Sequence, residues 1–289
     1  MRALERLRDA LLKAGYNFNG LEPKDITDEH VNVFHEYLLN ELNLGTRSYA
    51  KHIGINKTFF FWLKRVKDLQ INNPFCHVEL HTVKKDITLI TKTEFEKLLC
   101  VITRENSFDK KTKRYMYRDW LVLAYRLALE TGLRREELLT LSWANIVPID
   151  GHKMVCKVDN LKVNRIMTGR SDSGRIKYIP VTKGLLALLN ELGYEEKKNS
   201  AAYIIERPAQ QELGQAMDLL SCCFAHYIKL VTDRPLEFGV LRKTFITRLT
   251  MAAGPNAKLF TGHTDNSVLQ NYYLSTAFMA ANLEDFTVL

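Results

Sequence analysis

Apolar residues recur at helical spacing along most of this chain, and one region departs clearly from that pattern. Residues 153–158 and 175–181 are short runs rich in β-branched side chains with partial alternation, which predicts the two strands of a hairpin. The connection between them, 159–174, is long for a hairpin turn. We therefore expect a mainly α fold with a small β-hairpin, an α+β arrangement.

The first 80 residues predict a small helical unit. One helix lies within 24–42, where Thr27 or Asp28 can cap it. Its apolar stripe consists of Val31, Phe34, Leu38 and Leu42. A second helix runs from about Thr46 to Leu69, and Pro74 stops the chain from continuing it because the residue before proline avoids the α region. Its residues expected to point inward are Ile53, Phe60, Leu63 and Val66.

A polar stretch separates this unit from the rest of the chain. Residues 81–89 contain few core side chains and read as a linker. Thr91 and Glu94 then have the spacing of a capping box, in which each side chain satisfies a backbone N–H of the other residue. We expect two domains, 1–86 and 90–289.

The amino-acid composition indicates which kinds of partner and which cellular compartment suit this chain. The 289 residues include 41 Lys and Arg against 33 Asp and Glu, a net charge of +8 that suits a phosphate-rich partner. The five cysteines have no framework spacing, so we expect reduced thiols in a cytoplasmic protein. No apolar run is long enough for a membrane span. Cys76, His77 and His81 lack the second ligand pair of a zinc site, so we expect no metal.

A glycine between two helical segments marks the first candidate site. Gly132 follows an apolar helix and can take the left-handed conformation that ends one. Arg134 then falls in the first turn of the next helix, where the positive end of the helix dipole disfavours a cation without an anionic partner. This conflict favours anion binding. The alternative is a surface arginine held by Glu137.

A second candidate site lies near the C-terminus. Arg242 and Lys243 lie at the edge of a helical face formed by Leu241, Phe245, Ile246 and Leu249. Further on, His263 follows Gly262 in a predicted turn, and a last helix carries Tyr272 and Tyr273. Adjacent residues of a helix point in different directions, so the two tyrosines cannot share one role.

Together these segments resemble the tyrosine recombinase (phage integrase) family, which contains the Xer and Cre recombinases. Gly132–Leu138 is similar to its G-L-R-x-x-E-L box, Leu241–Phe245 to its L-R-H-T-F box, and Thr261–Thr264 to its L-G-H-S turn. Tyr272 follows His263 by nine residues, where the family has its nucleophile. The motifs span about 90–289. The N-terminal unit resembles the family's core-binding domain in size, position and helix pattern.

The resemblance implies a site and a chemistry. The implied catalytic residues are Arg134, Lys162, Arg242, His263 and Tyr272, with Glu137 and Lys243 in support. Lys162 is the candidate hairpin lysine, and Lys157 and Lys177 are its rivals. The reaction implied is DNA strand exchange through a 3′-phosphotyrosine, without metal, ATP or any other cofactor. The implied partners are double-stranded DNA, further copies of the chain in a tetrameric synapse, and accessory DNA-bending proteins.

One position departs from the family pattern. The family usually has histidine three residues before its second arginine, and this chain has Gly239 there. Glycine supplies neither a proton acceptor nor a side-chain hydrogen bond. A DNA-binding protein of the same fold that no longer cleaves is therefore the alternative prediction. A nick-and-rejoin topoisomerase without site preference is a further one.

Basic residues at helical spacing predict the DNA contacts. Arg47 and Lys51 are four residues apart, and Lys57 and Lys64 are seven apart, so each pair can line a phosphate-facing stripe. In the hairpin connection, basic residues outnumber acidic ones, and the DNA-binding candidates there are Arg165 and Arg170. The run 59–62 reads as core rather than as a base-stacking platform. The apolar tail 274–289 packs either on its own domain or on a neighbouring protomer.

Overall fold

The computed structural model describes residues 2–80, 88–150, 153–161, 164–165 and 176–253. The chain divides into two compact units, Met1–Asp86 and Ile87–Leu289, each with its own apolar core. Within the described ranges, no helix is long and apolar enough to cross a membrane. The fold is mainly helical with small antiparallel sheets, as the sequence predicts.

The first unit is built on three helices. They are α1 (Arg2–Lys13), α2 (Asp28–Glu36) and α3 (Thr46–Val66). Of the two cap candidates, Thr27 is the N-cap of α2, and its backbone N–H donates to Nδ1 of His30 over 3.1 Å. The helix predicted within 24–42 is therefore confirmed as α2, and it continues into a wider π-helical turn, Tyr37–Glu41.

The core of this unit follows the predicted stripes with one error. Phe34, Leu38, Ile53 and the other predicted core residues of α2 and α3 are buried or packed against the core. Val66, predicted to point inward, is 63% exposed. It is the last residue of α3, and the chain turns back there through a hydrogen bond from the Leu69 N–H to the Leu63 carbonyl, so no element covers it.

The aromatic run 59–62 is core only in part. Phe60 is buried and Phe59 packs against the core, but Phe61 and Trp62 are 43% and 42% exposed. Four consecutive residues of a helix point in directions about 100° apart, and the small unit covers only one side of α3. The prediction that the whole run is core is therefore wrong for Phe61 and Trp62.

The second unit begins at the predicted capping box. The Glu94 N–H donates to Thr91 Oγ1 over 3.2 Å, and the Thr91 N–H donates to Glu94 Oε2 over 2.9 Å. The elements that follow are α4 (Lys92–Val101), β1 (Phe108–Asp109), β2 (Arg114–Tyr115), α5 (Leu121–Thr131), α6 (Arg135–Leu139), β3 (Ile146–Asp150), β4 (Lys153–Asp159), β5 (Ile176–Pro180), α7 (Lys183–Glu191), α8 (Tyr194–Lys197), α9 (Leu213–Ile228) and α10 (Gly239–Ala253).

The predicted hairpin is confirmed as the pair β4 and β5. These strands are antiparallel, and Val158 lies opposite Lys177. Strand β3 pairs with the other edge of β4 and was not predicted from the sequence. It contains Pro148, which weakens a strand signal, but a proline is tolerated on an edge strand because it removes no ladder hydrogen bond there.

Gly132 brings α10 beside the start of α6. Its φ is +58°, the left-handed conformation that the sequence predicts. A Cβ added here would lie 2.3 Å from Cδ1 of Phe245, a residue of α10. Glycine is therefore required twice, once for the backbone conformation and once for the close approach of the two segments. This approach places the two motif arginines near each other.

Candidate active site

Arg134 is the N-cap residue of α6. Its backbone is extended (φ −71°, ψ 156°), so the prediction that it lies in the first turn of the helix is off by one position. Its N–H donates to Glu137 Oε2 over 2.9 Å, and its Nη1 donates to Glu137 Oε1 over 3.1 Å. This reciprocal cap explains the boundary, because Glu137 satisfies the backbone and the guanidinium of Arg134 together.

Arg242 reaches the same place from α10. Its Nη1 donates to the backbone carbonyl of Gly132, two residues before Arg134. Burial lowers the pKa of Arg242 to about 10. The positive charge of Arg134 also lowers this pKa, whereas the carboxylate of Glu137 raises it. The guanidinium stays charged at neutral pH, and an anion placed beside it would relieve this electrostatic cost.

A buried ion pair lies behind the two arginines. The side chains of Glu137 and Lys177 are each 1% exposed, and Lys177 Nζ lies 2.5 Å from Glu137 Oε2. Burial on its own would raise the pKa of Glu137, but Lys177 and Arg134 hold this pKa below its ordinary value. Burial lowers the pKa of Lys177 to about 8, with Arg242 and Arg134 adding to the effect and Glu137 opposing it.

Among the residues that the structure describes, the charges of this cluster do not balance. Arg134, Arg242 and Lys177 carry three positive charges against the single carboxylate of Glu137. Arg134 retains 29% of its side-chain surface and is the solvent-accessible edge of the cluster. A partly exposed pair of guanidinium groups with excess positive charge suits a phosphate oxyanion, which arginine binds with two parallel hydrogen bonds.

Asn160 belongs to the cluster and was not singled out from the sequence. It follows β4, is 1% exposed, and accepts a hydrogen bond from Arg134 Nη1 over 3.2 Å. The alternation of β4 could have indicated its burial. Cys156 and Val158 are buried on one face of the strand, and Asn160, two positions after Val158, continues this pattern.

Comparison with known proteins identifies the family. A model of the phage integrase family matches residues 88–278, about two thirds of the chain. The chain belongs to the phage integrase family. Comparison with curated proteins gives no match.

Solved structures of integrases and recombinases share the fold. A lambda integrase dimer bound to a COC′ core site is 18% identical, with a TM-score of 0.59 over 94% of this chain and 87% of that one. The Tn1549 transposon integrase with transposon right end DNA is 17% identical, with a TM-score of 0.56 over 96% and 90%. The XerH recombinase in a pre-cleavage complex with difH substrate is 15% identical, with a TM-score of 0.53 over 97% and 75%.

The three candidate hairpin lysines have different positions. Lys177 is buried against Glu137, whereas Lys157 is exposed. Lys157 lies opposite Tyr178 in the ladder, so its side chain points to the other face of the sheet from Lys177. Lys162, the first choice from the sequence, lies outside the described residues, as do Arg170, His263, Tyr272 and Tyr273. Their roles stay predictions.

The other residues singled out near the cluster are on the surface. Lys243 is exposed on α10, and Arg165 is exposed and ion-paired with Glu136. Gly239 is the exposed first residue of α10, and a Cβ added there would meet no atom of the described residues within 4 Å. The position that usually holds histidine in the family thus has room for a side chain.

Helix α3 of the first unit is strongly basic. It carries Arg47, Lys51, Lys57, Lys64 and Arg65 and contains no Asp or Glu. Arg47, Lys51 and Lys64 are exposed as predicted. Lys57 instead donates to the Cys76 carbonyl over 2.8 Å and is only partly exposed, so part of its donor capacity is used within the unit.

The described part of the chain contains no cluster of side chains suited to a metal ion. No group of three His, Cys, Asp or Glu there has the arrangement of a metal site. The five cysteines are unpaired thiols, two of them buried. Burial raises the pKa of Cys156 to about 12, so this thiol is not a nucleophile at neutral pH.

Replacing Glu137 by alanine is expected to destabilise the second unit by about 3–5 kcal/mol, because it leaves the Lys177 ammonium buried without its anion. The loss should shrink as pH rises through about 8. Folding lowers the pKa of Lys177 in both proteins, so stability rises with pH in both, but without Glu137 this pKa falls further and the variant recovers more. Denaturant unfolding at pH 7 and pH 9.5 measures both effects.

Glu136→Ala is the matched control for Glu137→Ala. Its carboxylate is adjacent in sequence but pairs with the exposed Arg165, so the loss should stay below about 1 kcal/mol. Equal losses for the two variants would contradict the assignment of Glu137 as the buried anion of the cluster.

Proposed function

We propose that the chain is a site-specific DNA recombinase that cuts and rejoins DNA through a 3′-phosphotyrosine intermediate. The observation that carries this proposal is the convergence of Arg134 and Arg242 at the Gly132 turn, from helices far apart in the sequence, with the buried carboxylate of Glu137 holding Arg134. Family membership and the recombinase fold support it. Integration, excision and resolution of DNA elements all fit this chemistry.

The two arginines bind the scissile phosphate. Attack on phosphorus increases the negative charge on its non-bridging oxygens, and donors held in place before the reaction stabilise that charge without reorganising. Arg134 is fixed by Glu137 and Asn160, and Arg242 by the Gly132 carbonyl. His263 adds a third donor to the same phosphate.

Tyr272 is the nucleophile of the proposed reaction. The phenol gives up its proton to water, its oxygen bonds to phosphorus, and the bond from phosphorus to the 5′ oxygen breaks, leaving a 3′-phosphotyrosine. The departing 5′ oxygen takes a proton from Lys162, acting as general acid, and becomes a free hydroxyl. The phosphotyrosine bond keeps the energy of the broken phosphodiester, so rejoining to another 5′ hydroxyl needs no ATP. Lys243, beside Arg242, supports the site from its edge.

The first unit provides further contacts to the duplex. We assign 1–86 as the core-binding domain, joined through 81–89 to a catalytic domain at 90–289. Exposed Arg47, Lys51 and Lys64 contact phosphates, and so do Arg165 and Arg170 of the second unit. Solved relatives include a lambda integrase tetramer bound to a Holliday junction. This chain likewise assembles as a tetramer on DNA, in the cytoplasm, with DNA-bending proteins as possible accessories.

A cleavage-defective DNA-binding protein is the second candidate, and Gly239 is the observation that favours it. The position has an open surface where the family usually has an imidazole. A protein of this kind would use the arginine cluster to hold a phosphate without transferring it.

Restoring the missing side chain is expected to accelerate cleavage. Gly239→His should raise the single-turnover rate of adduct formation by about 10-fold or more, because general acid–base groups contribute about 10²–10⁴-fold when present. The open space at this position predicts no loss of stability. Gly239→Ala is the matched control for altered helix propensity. Equal rates in all three proteins would mean that another group already performs the proton transfer expected of this histidine.

Covalent trapping tests the proposed function. The wild-type protein is incubated with nicked, partly randomised duplexes in EDTA, denatured, and the attached DNA is sequenced. The nick lets the cleaved fragment diffuse away, so the intermediate accumulates. Adducts at a restricted set of sequences are the expected result. Adducts at unrestricted sequences would indicate a topoisomerase, and duplex binding without any adduct would favour the cleavage-defective candidate.

A further inference from the structure

Lys177 is a charged residue in the interior of the second unit. It is the second residue of β5, is 1% exposed, and has the Glu137 carboxylate 2.5 Å from its Nζ. The described residues offer this ammonium no additional hydrogen-bond acceptor with good geometry. Burying an ammonium costs several kcal/mol unless it is paired. Its burial also keeps it from contacting a phosphate at the exposed edge of the cluster.

Glu137 connects Lys177 to Arg134. Oε2 faces Lys177 and also accepts the Arg134 N–H, while Oε1 accepts Arg134 Nη1. Removing one of the two cations would raise the pKa of this carboxyl, which is 1% exposed, and so shift it toward its neutral form. A neutral carboxyl holds a guanidinium less strongly than a carboxylate does. Lys177, the second cation, therefore keeps the interaction between the Glu137 carboxylate and Arg134 strong.

The geometry of the hairpin reinforces this arrangement. Asn160, after β4, and Glu137, in α6, both bind Nη1 of Arg134, at 3.2 Å and 3.1 Å. Lys177 lies opposite Val158 in the ladder, two residues before Asn160. The hairpin thus supports the same guanidinium nitrogen twice, directly through Asn160 and indirectly through Lys177, which pairs with Glu137.

From these contacts we infer that Lys177 is a positioning residue for Arg134 rather than the proton donor of the reaction. It acts through Glu137, keeping the carboxylate ionised so that the guanidinium faces the scissile phosphate. This inference rests on the proposed function, since the phosphate is the group that Arg134 is positioned to bind.

A double-mutant cycle tests the inference. Lys177→Met, Glu137→Gln and the double variant are compared in the full-length protein by the single-turnover rate of adduct formation on nicked duplex. Lys177→Met is expected to slow the reaction by about tenfold. The double variant should be no slower than Glu137→Gln alone, because Lys177 acts only through that carboxylate. Melting temperature and duplex affinity show which variants fold and bind.

A duplex with a neutral methylphosphonate at the scissile position separates positioning from general structural support. Its non-bridging oxygen carries less charge for Arg134 to neutralise, so the Lys177→Met defect should shrink to less than about threefold. A structural defect would slow both substrates alike. Independent, multiplying losses in the cycle, or equal defects on the two substrates, would overturn the inference. Absence of any wild-type adduct would instead overturn the proposed function, and the inference with it.

Discussion

Alanine at Arg134 or at Arg242 is expected to slow covalent adduct formation by at least about 10²-fold, the scale seen when one preorganised donor to a developing oxyanion is removed. Both guanidinium groups are held by fixed acceptors, Glu137 and Asn160 for the first and the Gly132 carbonyl for the second. Single-turnover trapping on a nicked duplex measures the rate. Duplex affinity should change far less, because many other phosphate contacts contribute to binding.

Arg135→Ala is the matched control for the arginine variants. Arg135 is adjacent to Arg134 but exposed, and it contacts the Met217 carbonyl and Ser221 on α9 instead of the cluster. Its replacement should leave the rate within about threefold of wild type, as expected for a surface change. Arg134→Lys keeps the charge and loses the planar fork, so its rate should stay well below wild type. A cluster variant with the rate of Arg135→Ala would contradict the assigned role.

Phenylalanine at Tyr272 is expected to abolish the adduct altogether. The substitution removes only the phenol oxygen, so folding and duplex binding should be retained. Tyr273→Phe is the matched control, since a neighbouring residue of a helix points in a different direction and cannot replace Tyr272. Gel separation of protein–DNA adducts after denaturation measures both variants. Persistence of the adduct in Tyr272→Phe with loss in Tyr273→Phe would move the nucleophile by one residue.

Much of the second unit could be predicted from local signals in the sequence. The Thr91–Glu94 cap, the turn at Gly132 and the β4–β5 hairpin each depend on a few neighbouring residues, and the structure has all three. The two arginines could be paired because their motifs are those of one family. Their convergence also depends on Gly132, which lets Phe245 approach the turn.

The residues that the sequence did not reveal depend on tertiary context. The burial of Asn160 continues the alternation of β4, but its contact with Arg134 depends on tertiary packing. The burial of Lys177 follows from the register of β5 with β4, which no local pattern determines. Lys177 was considered only as a proton donor, because a lysine in a hairpin gives no sign that a carboxylate from α6 covers it. The side chains of Val66 and Trp62 were predicted to be part of the core but are exposed. Periodicity shows that a helix has an apolar face, but it does not show how much of that face is covered by other elements.

Mapping the trapped adduct tests most directly whether this chain transfers DNA strands through one tyrosine. The wild-type adduct is digested with protease and nuclease, and the remaining nucleotide–peptide conjugate is sequenced by mass spectrometry. We expect a peptide containing Tyr272, linked through its phenol oxygen to a 3′ phosphate, with a free 5′ hydroxyl on the other DNA end. A 5′ linkage, or attachment through any residue other than tyrosine, would contradict the proposed reaction.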